Sequence, residues 1–237
     1  MRDVVVTGGG TGIGYAVAAA FAAAGDRVTI TGRRQQVLKE AADRIGARAV
    51  AFDASDPASV TAALPQLPER VDVLVNNAGG LAPGSADRTD LAEMAAAWRA
   101  DLDLNLLSAV LVTAGLEPRL RDDARIVSIG SIAARRGAGS YGAAKAALEA
   151  WTASLAAALG PRGVTANVVA PGVVLETEFF GDAMTAARLQ RLIGETRNGR
   201  AGTPADIAAT VQFLCSPQAG HLTGQVVHVN GGAYLGR

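Results

Sequence analysis

The chain of 237 residues has one cysteine, two histidines and no net charge, and each scarcity removes a class of function. The single thiol, Cys215, excludes an internal disulfide and any multi-thiolate metal site. His221 and His228, without a cysteine pair, give no zinc-ligand spacing, so no metal is expected. The 22 basic and 22 acidic residues cancel, with no long run of one sign, which leaves no footprint for nucleic acid or an anionic membrane. Aromatic residues make up only 4%, and no strongly apolar run is long enough to cross a bilayer. The opening residues, MRDVVVTGGG, lead from a short apolar run into glycines with no signal-peptide core. The expectation is a soluble protein of the reducing cytoplasm with a small-molecule partner.

Glycine is in excess, 28 residues in 237, about 12% against a usual ~7%. Many backbone positions therefore need tight turns or close approach. Apolar runs of strand length alternate with Ala-rich segments of helix length. Strands are expected at 3–7, 27–31, 48–52, 72–76, 125–131, 164–169 and 225–229. Helices are expected at 12–24, 35–45, 58–64, 89–116, 140–159, 182–195 and 204–215. Continuous runs such as VVV and VLV fit strands covered on both faces. The pattern reads as an α/β doubly wound Rossmann-type parallel sheet with helices on both faces, in one domain over 1–237. Residues 175–200 form a candidate substrate loop or plain helical decoration.

The first strand runs into Gly8-Gly-Gly-Thr-Gly12-Ile13-Gly14 and then an Ala-rich helix. Glycines there let the chain turn sharply and let a pyrophosphate approach the amides at a helix N-terminus; the alternative is a purely structural turn. The second strand ends in Gly32-Arg33-Arg34, where an acid would suit the ribose of NAD and an arginine the 2′-phosphate of NADP. Two cations at a helix N-terminus oppose its dipole, so either an anionic ligand explains them or they are solvated charge. Asp53, after the third strand, could accept from an adenine amino group or cap a helix. Asn76-Asn77-Ala78-Gly79-Gly80 reads as a structural corner that could also face a ligand.

Trp98, Leu102, Asn105, Ala109, Val112 and Leu116 recur at helical steps and predict one buried stripe with an amide inside it. That amide marks either a polar site or a water at a helix bend. Tyr141 and Lys145, four apart on a predicted helix, put a phenol and an ammonium on one face. An ammonium nearby lowers a phenol from its usual pKa of about 10 and suits it to proton transfer. The competing reading is an ordinary helix start capped by Ser140.

These pieces together resemble the short-chain dehydrogenase/reductase family in its single-domain form. The resemblance rests on TGGGTGIG (7–14), NNAG (76–79), Asn105, the GS pair 130–131, Tyr141-x-x-x-Lys145, NVVAPGVV (167–174) with Thr177, RAGTPADIA (200–208) and LTGQVVHVNGG (222–232). It implies strand order 3-2-1-4-5-6-7 and hydride transfer between NADP, or NAD, and a ketone/secondary alcohol pair, a 3-oxoacyl thioester among the candidates. Carried over, Tyr141 is the general acid, Lys145 tunes it and holds the nicotinamide ribose, Ser131 binds the carbonyl and Asn105 holds a proton-relay water. The cofactor cradle would comprise Gly8, Gly12, Ile13, Gly14, Arg33, Arg34, Asp53, Asn77, Ala78, Gly79, Pro171, Gly172, Val174 and Thr177, with Tyr141 and Lys145.

Self-association to a homotetramer or dimer, through helices 89–116 and 140–160, is also implied. The alternative is a non-catalytic cofactor-binding regulatory or scaffold protein on the same fold. Three departures stand out. Ser131 precedes Tyr141 by ten residues rather than thirteen, Ser128 holding the usual spacing from inside a strand; VVLETEFF shifts Thr177 by one place; and Thr11 replaces the basic residue usual in the glycine loop. Arg135 and Arg136 in the shortened loop could meet an anionic carrier or be ordinary loop charge.

Overall fold

A computed structural model describes residues 1–82, 90–179 and 184–236. Seven parallel strands run β1 Asp3–Thr7, β2 Arg27–Gly32, β3 Arg48–Ala51, β4 Val71–Asn76, β5 Leu120–Ile129, β6 Thr165–Pro171 and β7 Val226–Val229. The helices are α1 Gly12–Ala23, α2 Gln35–Ile45, α3 Pro57–Ala63, α4 Leu91–Leu102, α5 Ser108–Leu116, α6 Ala133–Arg136, α7 Gly139–Leu159, α8 Ala186–Gly194 and α9 Pro204–Leu214. The strands order as β3-β2-β1-β4-β5-β6-β7, as the resemblance implies. The order reverses between β1 and β4, where a crevice opens at the carboxyl ends of the strands.

The continuous valine runs are explained by two cores, one on each face of the sheet. Val4 and Val6 of β1 pack with Val17, Phe21, Leu38, Ile207 and Val211 of α1, α2 and α9. Val5 turns to the other face and joins Val60, Val112, Leu116 and Ala156 of α3, α5 and α7. Each of these fully buried aliphatic side chains contributes about 1.5–3 kcal/mol. Such a strand cannot alternate polar and apolar residues.

Local chemistry sets the helix ends. Asp56 caps α3, with Pro57 opening it, and Gly46 closes α2 in the left-handed region at φ 66°. Thr203 and Asp206 form a reciprocal capping box at α9, and Arg200 clamps Asp206 at 2.7 Å. This accounts for RAGTPADIA structurally, because Gly202 also pairs with Val174 and so holds the chain that leaves β6.

Four expectations are corrected. The helix expected over 89–116 is broken by a π-helical segment, Asp103–Leu107, between α4 and α5, and Thr89 lies outside the described residues. The wider turn makes 101 to 105 one turn, so Ala97 and Asp101 face inward while Trp98 is 44% exposed. The fifth strand ends at Ile129, leaving Gly130 and Ser131 beyond it. The eighth helix begins at Ala186 rather than near 182, which also lies outside the described residues.

Candidate active site

Thr11 precedes α1 in extended conformation, but its side chain does not cap the helix, so the amides of Gly12, Ile13 and Gly14 have no partner there. Gly8 and Gly12 are left-handed, at φ 65° and 54°. A side chain at Gly14 would overlap the Gly8 carbonyl oxygen and the Asn77 amide. Asn77 clamps the loop by donating to the Thr7 and Gly8 carbonyls at 3.0 and 3.1 Å. The Thr7 hydroxyl in turn accepts from the backbone of Asn77 and Ala78. These residues fit a pyrophosphate: uncapped amides at a positive helix end, in a cradle that side chains at Gly8, Gly12 or Gly14 would strain or fill.

Arg33 and Arg34 stand exposed where β2 meets α2, whose first turn holds no acid. Arg34 reaches back to the glycine loop, 3.5 Å from the Thr11 hydroxyl. Its guanidinium thus stands at the residue that replaces the expected loop cation. Asp53 does not cap α3, since Asp56 does; its Oδ1 accepts from the backbone and hydroxyl of Ser55. Those two bonds hold its carboxyl below the usual range against the opposing effect of burial, with Arg33 adding a little.

Asn105 is buried beneath the cleft, with both ends of its amide engaged. Its Nδ2 donates to the Gly80 and Asp101 carbonyls at 2.8 and 3.1 Å, and its Oδ1 accepts from Gly80 N at 3.1 Å. A side chain at Gly79 would sit 2.8 Å from Asn105 Oδ1 and 3.3 Å from Lys145 Nζ, so glycine there lets the lysine pass. Asp101 was not singled out by the sequence. It is fully buried, accepting from Ala82 N at 3.0 Å and from the Ser140 hydroxyl at 2.5 Å. Ser140 is therefore an anchor of α7 on α4, not a cap. The signal that could have found Asp101 is its place four residues, one helical turn, before Asn105.

Tyr141 and Lys145 share the buried face of α7. Ser131 lines the cleft with Tyr141 despite the short spacing, near enough to favour the ionised phenol, and its oxygen accepts from Ala133 N at 3.1 Å. The shortened segment closes as one helical turn, α6, followed by left-handed Gly137 and Gly139. Ser128 lies fully buried within β5 and does not line the cleft. Burial pushes the Tyr141 phenol up to about 12; Ser131 opposes this and Asp101 adds to it. The lowering by Lys145 that the spacing suggests is not among the leading effects. Lys145 Nζ sits 5.8 Å from the ring centre and donates to Ile129 O at 2.9 Å, and burial drops its pKa to about 8.

A cleft of about 960 Å³ joins these pieces, and every sequence-predicted site residue lines it except Asn105. Pro171, Gly172 and Val174 form its far wall, Gly172 packing so closely on Asn230 that a side chain would meet it at 2.9 Å. Thr177 comes back against Gly12, within about van der Waals distance of that glycine. The loop arginines are ordinary charge pairs: Arg135 meets Glu149 and Arg136 meets Glu195, both at 2.6 Å. Of the aromatic and aliphatic residues in the expected substrate loop, Phe179 and Leu192 line the cleft, and Phe180 lies outside the described residues. Among the described residues no group of side chains could hold a metal, and no helix is long and apolar enough to cross a membrane.

Comparison with known proteins agrees with this geometry. The family model described as "Enoyl-(Acyl carrier protein) reductase" matches residues 8–234. The chain is 38% identical to the short-chain reductase protein NovJ of Streptomyces niveus over 96% of its own length and 92% of the relative's. It is 34% identical to the 3-oxoacyl-[acyl-carrier-protein] reductase FabG of Escherichia coli, over 99% and 98% of the two chains. It also superposes on a short-chain dehydrogenase of Burkholderia cenocepacia solved with NADP, with a TM-score of 0.83, 35% identity and coverage of 98% and 97%. Fold, cleft and relatives agree along nearly the whole chain, which belongs to the short-chain dehydrogenase/reductase family and is an NAD(P)-dependent oxidoreductase acting on CH–OH and C=O groups.

Proposed function

We propose that the protein is an NADP(H)-preferring carbonyl reductase of the cytoplasm in which Tyr141 is the proton donor. The observation that carries this reading is the cluster in the cleft, which the Tyr141 phenol, the Ser131 hydroxyl and Lys145 one helical turn on all line. With a pKa near 12 the phenol is fully protonated at neutral pH, the form that reduction needs. When bound, the nicotinamide cofactor supplies the hydride. Ser131 and Tyr141 orient the carbonyl oxygen, and Tyr141 delivers its proton there as negative charge develops. Lys145 holds the ribose hydroxyls beside the phenol. Asn105, spent on Gly80 and Asp101, keeps the backbone beside Lys145 in place.

Gly8, Gly12, Ile13 and Gly14 receive the pyrophosphate, Asp53 the adenine amino group, and Ala78, Gly79, Pro171, Gly172, Val174 and Thr177 the remaining wall; Asn77 serves by clamping the loop. Residues 175–179 and 184–200 cover the substrate end of this single domain, and a 3-oxoacyl thioester is the substrate class favoured by the likeness to the Escherichia coli reductase. Arg33 and Arg34 bind the 2′-phosphate. Replacing both by alanine removes charge-assisted bonds worth about 1.5–3 kcal/mol each, so NADPH affinity in a fluorescence titration should fall by about 10²-fold or more while NADH affinity hardly changes. Equal losses for the two cofactors would reduce the arginines to surface charge.

The assembly we propose is a homotetramer, or at least a dimer. Leu91, Met94 and Trp98 lie exposed along α4 at helical spacing, an apolar stripe that a second copy would cover. Light scattering should give a mass of four or two chains; a one-chain mass would refute the assembly.

A further inference from the structure

The chain after β6 makes a turn that its sequence does not suggest. Val174 is held by Gly202, the next residue donates its amide to the Gly202 carbonyl at 3.0 Å, and Glu176 takes a left-handed backbone at φ 57°, uncommon without glycine. This reverses the chain, laying Thr177 against Gly12 and bringing Glu178 over the N-terminus of α1. There the Glu178 carboxylate accepts from Arg34 at 2.6 and 3.4 Å and from the Thr11 hydroxyl at 3.4 Å. The two charged residues are 144 positions apart and both line the cleft. Arg34 holds the Glu178 carboxyl below the usual carboxylate range.

We propose that Glu178 is a specificity-determining residue: it competes with the 2′-phosphate of NADP(H) for the Arg34 guanidinium, and so sets how strongly the enzyme prefers NADP(H) over NAD(H). This rests on the reading of Arg34 as a phosphate ligand. A guanidinium carries five N–H donors on more than one edge, and Glu178 occupies the paired Nη1/Nη2 face, so a phosphate approaching that face must displace the carboxylate. A bidentate hold by Glu178 removes that face from the phosphate, whereas NAD(H), without the phosphate, makes no claim on it. Both partners are more than half exposed, so the pair is weak and exchangeable, a brake on phosphate binding rather than a block. Arg33 has no ion-pair partner among the described residues and supplies the uncontested charge.

The test is a set of four proteins, wild type, E178Q, R34A and R34A/E178Q, titrated with NADPH and with NADH by fluorescence or calorimetry, without substrate. E178Q keeps the shape and removes the charge. It should raise the ratio of the NADH to the NADPH dissociation constant by about two- to fivefold, the usual worth of an exposed pair. R34A should lower that ratio, and adding E178Q to R34A should then leave it nearly where R34A put it. A ratio unmoved by E178Q but lowered by R34A would overturn the proposal and leave Arg34 a phosphate ligand. A ratio lowered by E178Q would overturn it in the opposite sense, making Glu178 the residue that presents Arg34 to the phosphate. A ratio unmoved by R34A would sink both the proposal and the reading beneath it.

Discussion

Tyr141→Phe should cut NADPH-dependent carbonyl reduction by about 10²–10⁴-fold and leave cofactor affinity nearly unchanged. The variant keeps the ring and loses only the hydroxyl beside Ser131, whose oxygen still accepts from Ala133 N. Packing against Phe179, at 5.4 Å between ring centres, survives. The loss should fall on kcat, because the missing proton is needed in the transition state rather than for binding. In the wild type, a phenol held near 12 keeps its proton across the neutral range, so reduction should show no loss from tyrosine ionisation until strongly alkaline pH. Alcohol oxidation, which needs the phenolate, should rise toward that same limit. Wild-type-like turnover in Tyr141→Phe, followed by NADPH absorbance, would remove Tyr141 from the chemistry.

Lys145→Met should abolish most activity and at the same time stabilise the fold. The ammonium is buried with no carboxylate hydrogen-bonded to it among the described residues, and donates to Ile129 O. Unfolded, the lysine keeps its proton up to about 10.5, whereas in the fold burial releases it near 8. Below pH 8 the fold therefore carries the full cost of a buried charge, about 3 kcal/mol at ~1.4 kcal/mol per pH unit. That cost fades as pH rises from 8 to 10.5. Methionine fills similar space without a charge and forfeits one hydrogen bond worth about 1 kcal/mol. The net gain at pH 7 should be about 2 kcal/mol, or roughly 4–8 °C in the melting midpoint of a chain this size, and above pH 10.5 it should give way to a loss of about 1 kcal/mol, the hydrogen bond alone. A variant less stable than wild type at pH 7 would mean that Lys145 is a structural pillar. The expected pattern is the stability–activity trade-off of a charge kept for function.

Most of the fold was legible because its strands are fully buried and its turns need glycine, both of which are written locally. Val4, Val5 and Val6 declare a strand with a core on each side, and Gly8 to Gly14 declare a loop that side chains would fill. Tyr141 and Lys145 were legible as a pair from their spacing along one helix, whereas Ser131 came only from the family resemblance of the GS pair, against the usual spacing. The exposure of Trp98 was hidden because the π-helical segment changes the helical phase, and no run of residues announces it. The Arg34–Glu178 pair was hidden because it joins segments 144 residues apart. Spacing alone points to the nearby cation as the main influence on the Tyr141 phenol, whereas in the fold burial outweighs every other influence.

The most direct measurement is the decay of NADPH absorbance by the wild-type protein with a panel of ketones that includes a 3-oxoacyl thioester, run beside NADH and in the alcohol direction. The expected result is turnover of at least one member of the panel, faster with NADPH than with NADH. Tight binding of NADPH with no turnover of any carbonyl or alcohol, in either direction, would contradict it and turn the cleft into that of a cofactor-binding regulator or scaffold.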